Sequence, residues 1–177
     1  MIINRVWALP NKWTFQIKPI ANLLSRYVGN GKDWVDPFAG MYSPAEFTND
    51  LNPSSNAKYH IDAFDFAAKI DGQYKGVLFD PPYSLEQIKR SYKGVGLKSK
   101  LGFKKNGAED VTGAFVKVRN QLANHVINGG YAICFGWNSN GFGKGRGFRL
   151  VEILLVCHGN GHHDTIVTVE QKIQGNL

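Results

Sequence analysis

A chain of 177 residues, 43% of them hydrophobic, is long enough to bury one core and too short for two full domains, so a single domain over 1–177 is expected. No apolar run approaches the roughly 18 residues of a membrane span, and the first residues lack the apolar core of a secretory signal, which points to a cytoplasmic protein. The formal charge of +7 is concentrated: Lys89, Arg90, Lys93, Lys98, Lys100, Lys104 and Lys105 lie between Ser84 and Lys105 against the single acid Glu86, a composition suited to nucleic-acid phosphates.

Residues 1–10 carry no readable pattern. From Trp13 the chain runs through Phe15 and Ile17 to Pro19, which suits a first helical turn, and Ile20, Leu23, Leu24 and Tyr27 then share one face at helical spacing. After a Gly29-Asn30-Gly31 turn, Trp34, Val35 and Asp36 read as a strand entering a tight loop at Pro37, Phe38, Ala39 and Gly40. A glycine in that place lets backbone approach a ligand closely. A short strand ending near Asp50 follows. An acid after such a loop commonly bonds ribose hydroxyls. The stretch from Asp36 to Asp50 is barely the dozen residues of a parallel crossover, so the helix expected between them is lost or reduced to a turn. Residues 59–66 read as a third strand with Asp62 at its end, then a short helix.

Val77, Leu78 and Phe79 form a short buried strand that stops at Pro81 and Pro82, because proline donates no backbone hydrogen bond and fixes its own φ. Asp80 therefore sits at the carboxyl end of a strand, where open α/β sheets carry their ligands. A carboxylate accepts an N–H, a rigid Pro-Pro backbone aims a carbonyl, and the Tyr83 ring can stack on a flat base. Residues 84–110, with Gly94, Gly96 and Gly102, are expected to form a mobile basic loop closing over nucleic acid.

Phe115, Val118, Leu122 and Ile127 mark an amphipathic helix ended by Asn128-Gly129-Gly130. Residues 131–137 then read as a buried strand. The glycine-rich segment 141–148 lacks the Gly-Lys-Ser/Thr ending of a phosphate loop and is a flexible connection or a basic track for a nucleic-acid backbone. Residues 150–157 and 165–169 pair as a hairpin across an Asn-Gly turn. Cys157, His158, His162, His163 and Asp164 match no closed Cys/His ligand spacing, so no metal is expected, and Cys134 and Cys157 are buried strand residues rather than a disulfide.

The run Asp80-Pro81-Pro82-Tyr83 resembles the Asp-Pro-Pro-Tyr signature of the S-adenosylmethionine-dependent amino-methyltransferases, and most similar are the small phage-type DNA adenine enzymes. Two further segments are similar to the family's: Thr14 to Pro19 to a Thr-Phe-x-Ile-Lys-Pro segment, and Asp36 to Gly40 to an Asp-Pro-Phe-x-Gly loop, although Met41 and Tyr42 replace the glycine and Ser/Thr that usually follow. The resemblance implies a class I methyltransferase (Rossmann-like) α/β fold, mostly parallel with one reversed strand. It assigns Asp80, Pro81, Pro82 and Tyr83 to catalysis. Phe15, Ile17, Asp36, Phe38, Gly40, Asp50 and Asp62 would hold S-adenosylmethionine, with Asp50 on the ribose and Asp62 on the adenine amino group. The implied acceptor is adenine in double-stranded DNA, in a bacterial or phage-infected cell. A homodimer is compatible with it, and no separate target-recognition domain is expected. Two rivals stand beside this reading. Related motifs modify ribosomal RNA, and the shortened crossover would also suit a non-catalytic nucleic-acid-binding module that kept the fold.

Overall fold

A computed structural model of the chain describes residues 1–97, 115–159 and 161–173. Its frame is a seven-stranded sheet: β1 (Ile2–Trp7), β2 (Trp34–Asp36), β3 (Phe47–Thr48), β4 (Tyr74–Phe79), β5 (Val126–Gly136), β6 (Phe148–Cys157) and β7 (Thr165–Lys172). The strands lie in the order β1-β6-β7-β5-β4-β2-β3. Every adjacent pair is parallel except the two made by β7, so β7 alone is reversed.

Among the described residues four α-helices cover the two faces: α1 (Lys18–Tyr27), α2 (Ala63–Lys69), α3 (Leu85–Gly94) and α4 (Val116–Asn124). On β4, Val77 and Phe79 pack with α2, α3 and α4, while Leu78 packs with α1 on the opposite face. Both faces being covered explains the unbroken apolar run that precedes Asp80. Gly76 belongs to the same logic. A Cβ there would lie 2.5 Å from the Trp34 ring, so the close approach of β2 to β4 demands glycine.

α1 is fixed to the sheet by a buried acid. Glu152 on β6 accepts hydrogen bonds from Arg26 Nη2 and the Tyr27 hydroxyl, both at 2.8 Å. That satisfies a charge which burial alone would make costly.

Several expectations change. Residues 1–10 are not featureless, since β1 pairs in parallel with β6 and forms one edge of the sheet. The third strand over 59–66 is only a single bridge, Asn49 to Tyr59, and Asp62 instead caps α2 by accepting from Phe64 N–H at 2.9 Å. The helix expected to reach Ile127 ends at Asn124, and residues 126–130 begin β5, because pairing with β4 overrides the Asn-Gly-Gly stop. Residues 85–94, read as the start of a loop, form α3: the Ser84 hydroxyl caps it by accepting from Gln87 N–H at 3.2 Å. The crossover from β2 to β3 carries no helix, as its length requires.

Candidate active site

The site lies at the carboxyl ends of β2, β3 and β4, where the order reverses direction and the β2 and β4 loops part. Asp36 ends β2 and is fully buried. Its carboxylate accepts from Phe38 N–H at 2.9 Å and from the Ser43 hydroxyl at 2.6 Å, bracing the loop that follows. Burial pushes its pKa up to about 7 despite those two bonds, and the nearby acids Asp80 and Asp50 push the same way. Gly40, at φ +56, turns this loop back so that its N–H reaches Asp50 Oδ2 at 2.8 Å. Asn49 completes the brace with side-chain bonds to Pro37 O at 3.2 Å and to Ile61 O at 3.0 Å.

Asp80 follows the last residue of β4 and is half-buried. The Tyr83 hydroxyl donates to Asp80 Oδ1, and the Thr14 hydroxyl also bonds the carboxylate. Burial raises the Asp80 pKa to about 6, against the lowering effect of those two donors. Burial and the adjacent Asp80 raise the Tyr83 phenol well above its usual value, so it stays a neutral donor. The Pro81-Pro82 turn is locked from behind, because Tyr83 N–H donates to Gln87 Oε1 at 2.6 Å on α3.

Two cavities meet here. The larger, about 560 Å³, is lined by Phe38, Asp50, Ala63, Tyr92 and Phe115 together with the whole of Asp80, Pro81, Pro82 and Tyr83. The smaller, about 170 Å³, is lined by Lys12, Trp13, Thr14, Phe15 and the loop from Phe38 to Tyr42. Thr14, Phe38 and Asp80 line both.

The expected residues thus divide by position. Phe15, Phe38, Gly40, Asp50 and the four residues from Asp80 to Tyr83 face the cavities. Asp36, Ile17 and Asp62 are not among the lining residues. Asp36 sits beneath the loop, Ile17 is in the core under α1, and Asp62 caps α2 while accepting from the Tyr92 hydroxyl at 2.6 Å. Tyr83 departs from the open stacking ring expected of it: its hydroxyl is on Asp80 and its ring packs 5.5 Å from that of Trp137.

Of the basic residues, Lys89, Arg90 and Lys93 are exposed on α3, and Arg90 pairs with Glu86 at 2.9 Å. Lys98, Lys100, Lys104 and Lys105 lie outside the described residues. The glycine-rich segment after β5 is no loose track where Glu170 reaches it, since that carboxylate accepts from the N–H groups of Phe142 and Gly143. Among the described residues no three His, Cys, Asp or Glu side chains gather as a metal set, and no helix is long and apolar enough to cross a membrane.

Thr14, Gln87 and Tyr92 also line the larger cavity and were not expected there from the sequence. Only Thr14 left a signal, standing directly before Phe15 in a segment already singled out.

No protein-family model matches this sequence, and no curated protein matches it. Solved structures do match in shape. TrmN from Thermus thermophilus aligns with a TM-score of 0.58 at 15% identity over 89% of this chain and 49% of its own, so this chain spans about half of that protein. The N-methyltransferase NodS from Bradyrhizobium japonicum, in complex with S-adenosyl-L-homocysteine, aligns at 0.54 and 9% identity over 89% of this chain and 87% of NodS. A candidate rRNA-methylase from Clostridium thermocellum aligns at 0.52 and 11% identity over 95% of this chain and 100% of its own. What is shared at such identities is architecture: the chain has the class I methyltransferase fold, a Rossmann-like, mostly parallel sheet with one reversed strand.

Proposed function

We propose that this protein transfers a methyl group from S-adenosylmethionine to the exocyclic amino group of adenine in DNA. The observation that carries the proposal is the position of Asp80. It stands at the end of β4, on the wall shared by two cavities, with a rigid Pro-Pro turn beside it.

The residues present suit the cofactor. Phe38, Ala63 and Phe115 give the larger cavity apolar walls for an adenine ring, and Asp50 supplies acceptor oxygens beside them. Thr14, Gly40 and Lys12 give the smaller cavity the polar and cationic groups an amino-acid end requires. Acids surround the junction, which suits a positively charged sulfonium. When bound, that sulfonium supplies an activated methyl group.

The chain's own part is to hold the acceptor. A target base must leave its stack to reach a recessed carboxylate, at a cost of a few kcal/mol. Asp80 then accepts one N–H of the amino group and the Pro81 carbonyl the other, which leaves the nitrogen lone pair free to point across the junction, and the Asp80 carboxylate takes up the proton that the nitrogen sheds as it gains the methyl group. Fixing that approach supplies much of the acceleration. Tyr83 has to yield its hydrogen bond to Asp80 for the base to take the same oxygen. No covalent link to the protein is needed, and the buried Cys134 and Cys157 take no part.

The test is to incubate the protein with S-adenosylmethionine and DNA, digest the product and quantify methylated nucleosides. Methyladenine is expected; none at stoichiometric protein would end the adenine assignment. RNA is the second reading, favoured by the likeness to the Clostridium candidate rRNA-methylase, and RNA offered in competition with DNA decides between them. Calorimetry with S-adenosylmethionine separates both from a non-catalytic binding module, which would take up none.

A further inference from the structure

The rim beside Asp80 carries aromatic rings that methyl transfer itself does not use. Trp137 directly follows β5, is 40% exposed, and touches Tyr83 at 5.5 Å between ring centroids. The His163 imidazole lies against Trp137 at 4.2 Å between ring centroids, in a tilted stack with the planes 33° apart. His163 belongs to the exposed turn between β6 and β7.

Topology explains why these rings meet. β4, β5 and β6 run in the same direction, so the end of β4 at Asp80, the end of β5 at Trp137 and the turn after β6 share one edge of the sheet. β1 is parallel to β6 with Trp7 opposite Cys157, so its last residue reaches the same edge. Trp7 is 68% exposed, and the Arg5 guanidinium lies 5.5 Å from its ring centroid. Its neighbour Val6 packs on the α1 side of the sheet, the side on which Tyr83 lies, so by strand alternation Trp7 looks out from the other face and stands apart from the Trp137 and His163 pair.

Single exposed apolar side chains need no explanation. A cluster of touching rings beside a recessed carboxylate is different, because one of them already packs against a flat heteroaromatic group from the chain itself. Every nucleobase has a π-face, so such a surface takes bases of any sequence, with cations beside the rings adding attraction. Bases inside a duplex have no face to offer it.

Resting on the reading that Asp80 holds a nucleobase, we infer that this rim is a stacking site for an unpaired nucleotide flanking the target. The Trp137 and His163 pair holds the neighbouring base. The acceptor is therefore presented as single-stranded nucleic acid.

The test uses the full chain without cofactor and follows the anisotropy of labelled short oligothymidylate, with oligouridylate and a duplex of equal length as competitors. Neither homopolymer contains adenine, so strand binding is read apart from methylation. Both single strands should compete better than the duplex, and the tighter one names the polymer. Trp137→Ala and His163→Ala should each weaken strand binding about tenfold, the scale of one stacked base. Trp137→Phe should keep most of the affinity, which guards against a misfolded alanine variant. Trp137→Ala that melts like the parent yet binds strand within about a factor of two of it would overturn the site, as would duplex outcompeting both single strands. Failure of the methyl-transfer reading looks different: no uptake of S-adenosylmethionine, with strand binding and its dependence on Trp137 intact.

Discussion

Tyr83 donates its hydroxyl hydrogen to the Asp80 carboxylate three positions earlier, so the ring that was expected to receive a base instead covers the group expected to grip it. This contact, with the Thr14 hydroxyl, restrains a pKa that burial drives upward. The ionised acid is the stronger acceptor and the one able to take up a proton, so methyl transfer should rise with pH through about 6. Tyr83→Phe removes one donor to the charged form, and its acidic limb should move to higher pH while S-adenosylmethionine uptake stays unchanged. A pH–rate profile of the variant that overlays the parent's would show that the contact does not tune Asp80.

Asp80→Ala should cost about a hundredfold or more in turnover, the scale of a positioned proton acceptor. The side chain is half-buried at the end of a strand whose packing lies behind it, so thermal stability should change little. Single-turnover transfer measured beside a melting curve checks both halves.

Asp36 gives a prediction about stability. With a native pKa of about 7 against an ordinary value of 3.8, the folded protein keeps a proton that the unfolded chain gives up, so stability falls as pH rises between those values and levels off above them. Asp36→Asn does not titrate, and Ser43 can reverse its hydroxyl to accept from the new amide. The melting temperature of the variant minus that of the parent should grow as pH rises from 5 to about 7 and flatten beyond it, as read by calorimetry. A gap independent of pH would mean Asp36 is ionised throughout.

Asp62 is cast by the structure as a brace between α2 and α3. Asp62→Ala removes a helix cap, worth about 1 kcal/mol, and leaves the buried Tyr92 hydroxyl without its acceptor, a further 1 to 3 kcal/mol. Urea denaturation should therefore show a loss of about 2 to 4 kcal/mol. In a cycle with Tyr92→Phe the two changes should fall short of additivity by about the hydrogen-bond share. Full additivity would place the effect in the cap alone.

What sequence alone determined was local. A short apolar run and proline chemistry place Asp80 at a strand end, Pro19 opens α1, and the short interval after Asp36 excludes a crossover helix, since each of these depends on neighbours within a few positions. Tertiary structure decided which acids face a cavity. Asp36 and Asp62 look equivalent to Asp50 and Asp80 in the chain, but Asp36 is covered by the loop that follows it and Asp62 lies between α2 and Tyr92, whereas Asp50 and Asp80 border the cavities. The same holds for β1, whose mixed residues become a strand only because β6 offers a free edge. It holds for Tyr83, Trp137 and His163, which come from three segments and meet only because their strands end on one rim. Pairing register and strand direction are long-range quantities, and no single stretch of residues contains them.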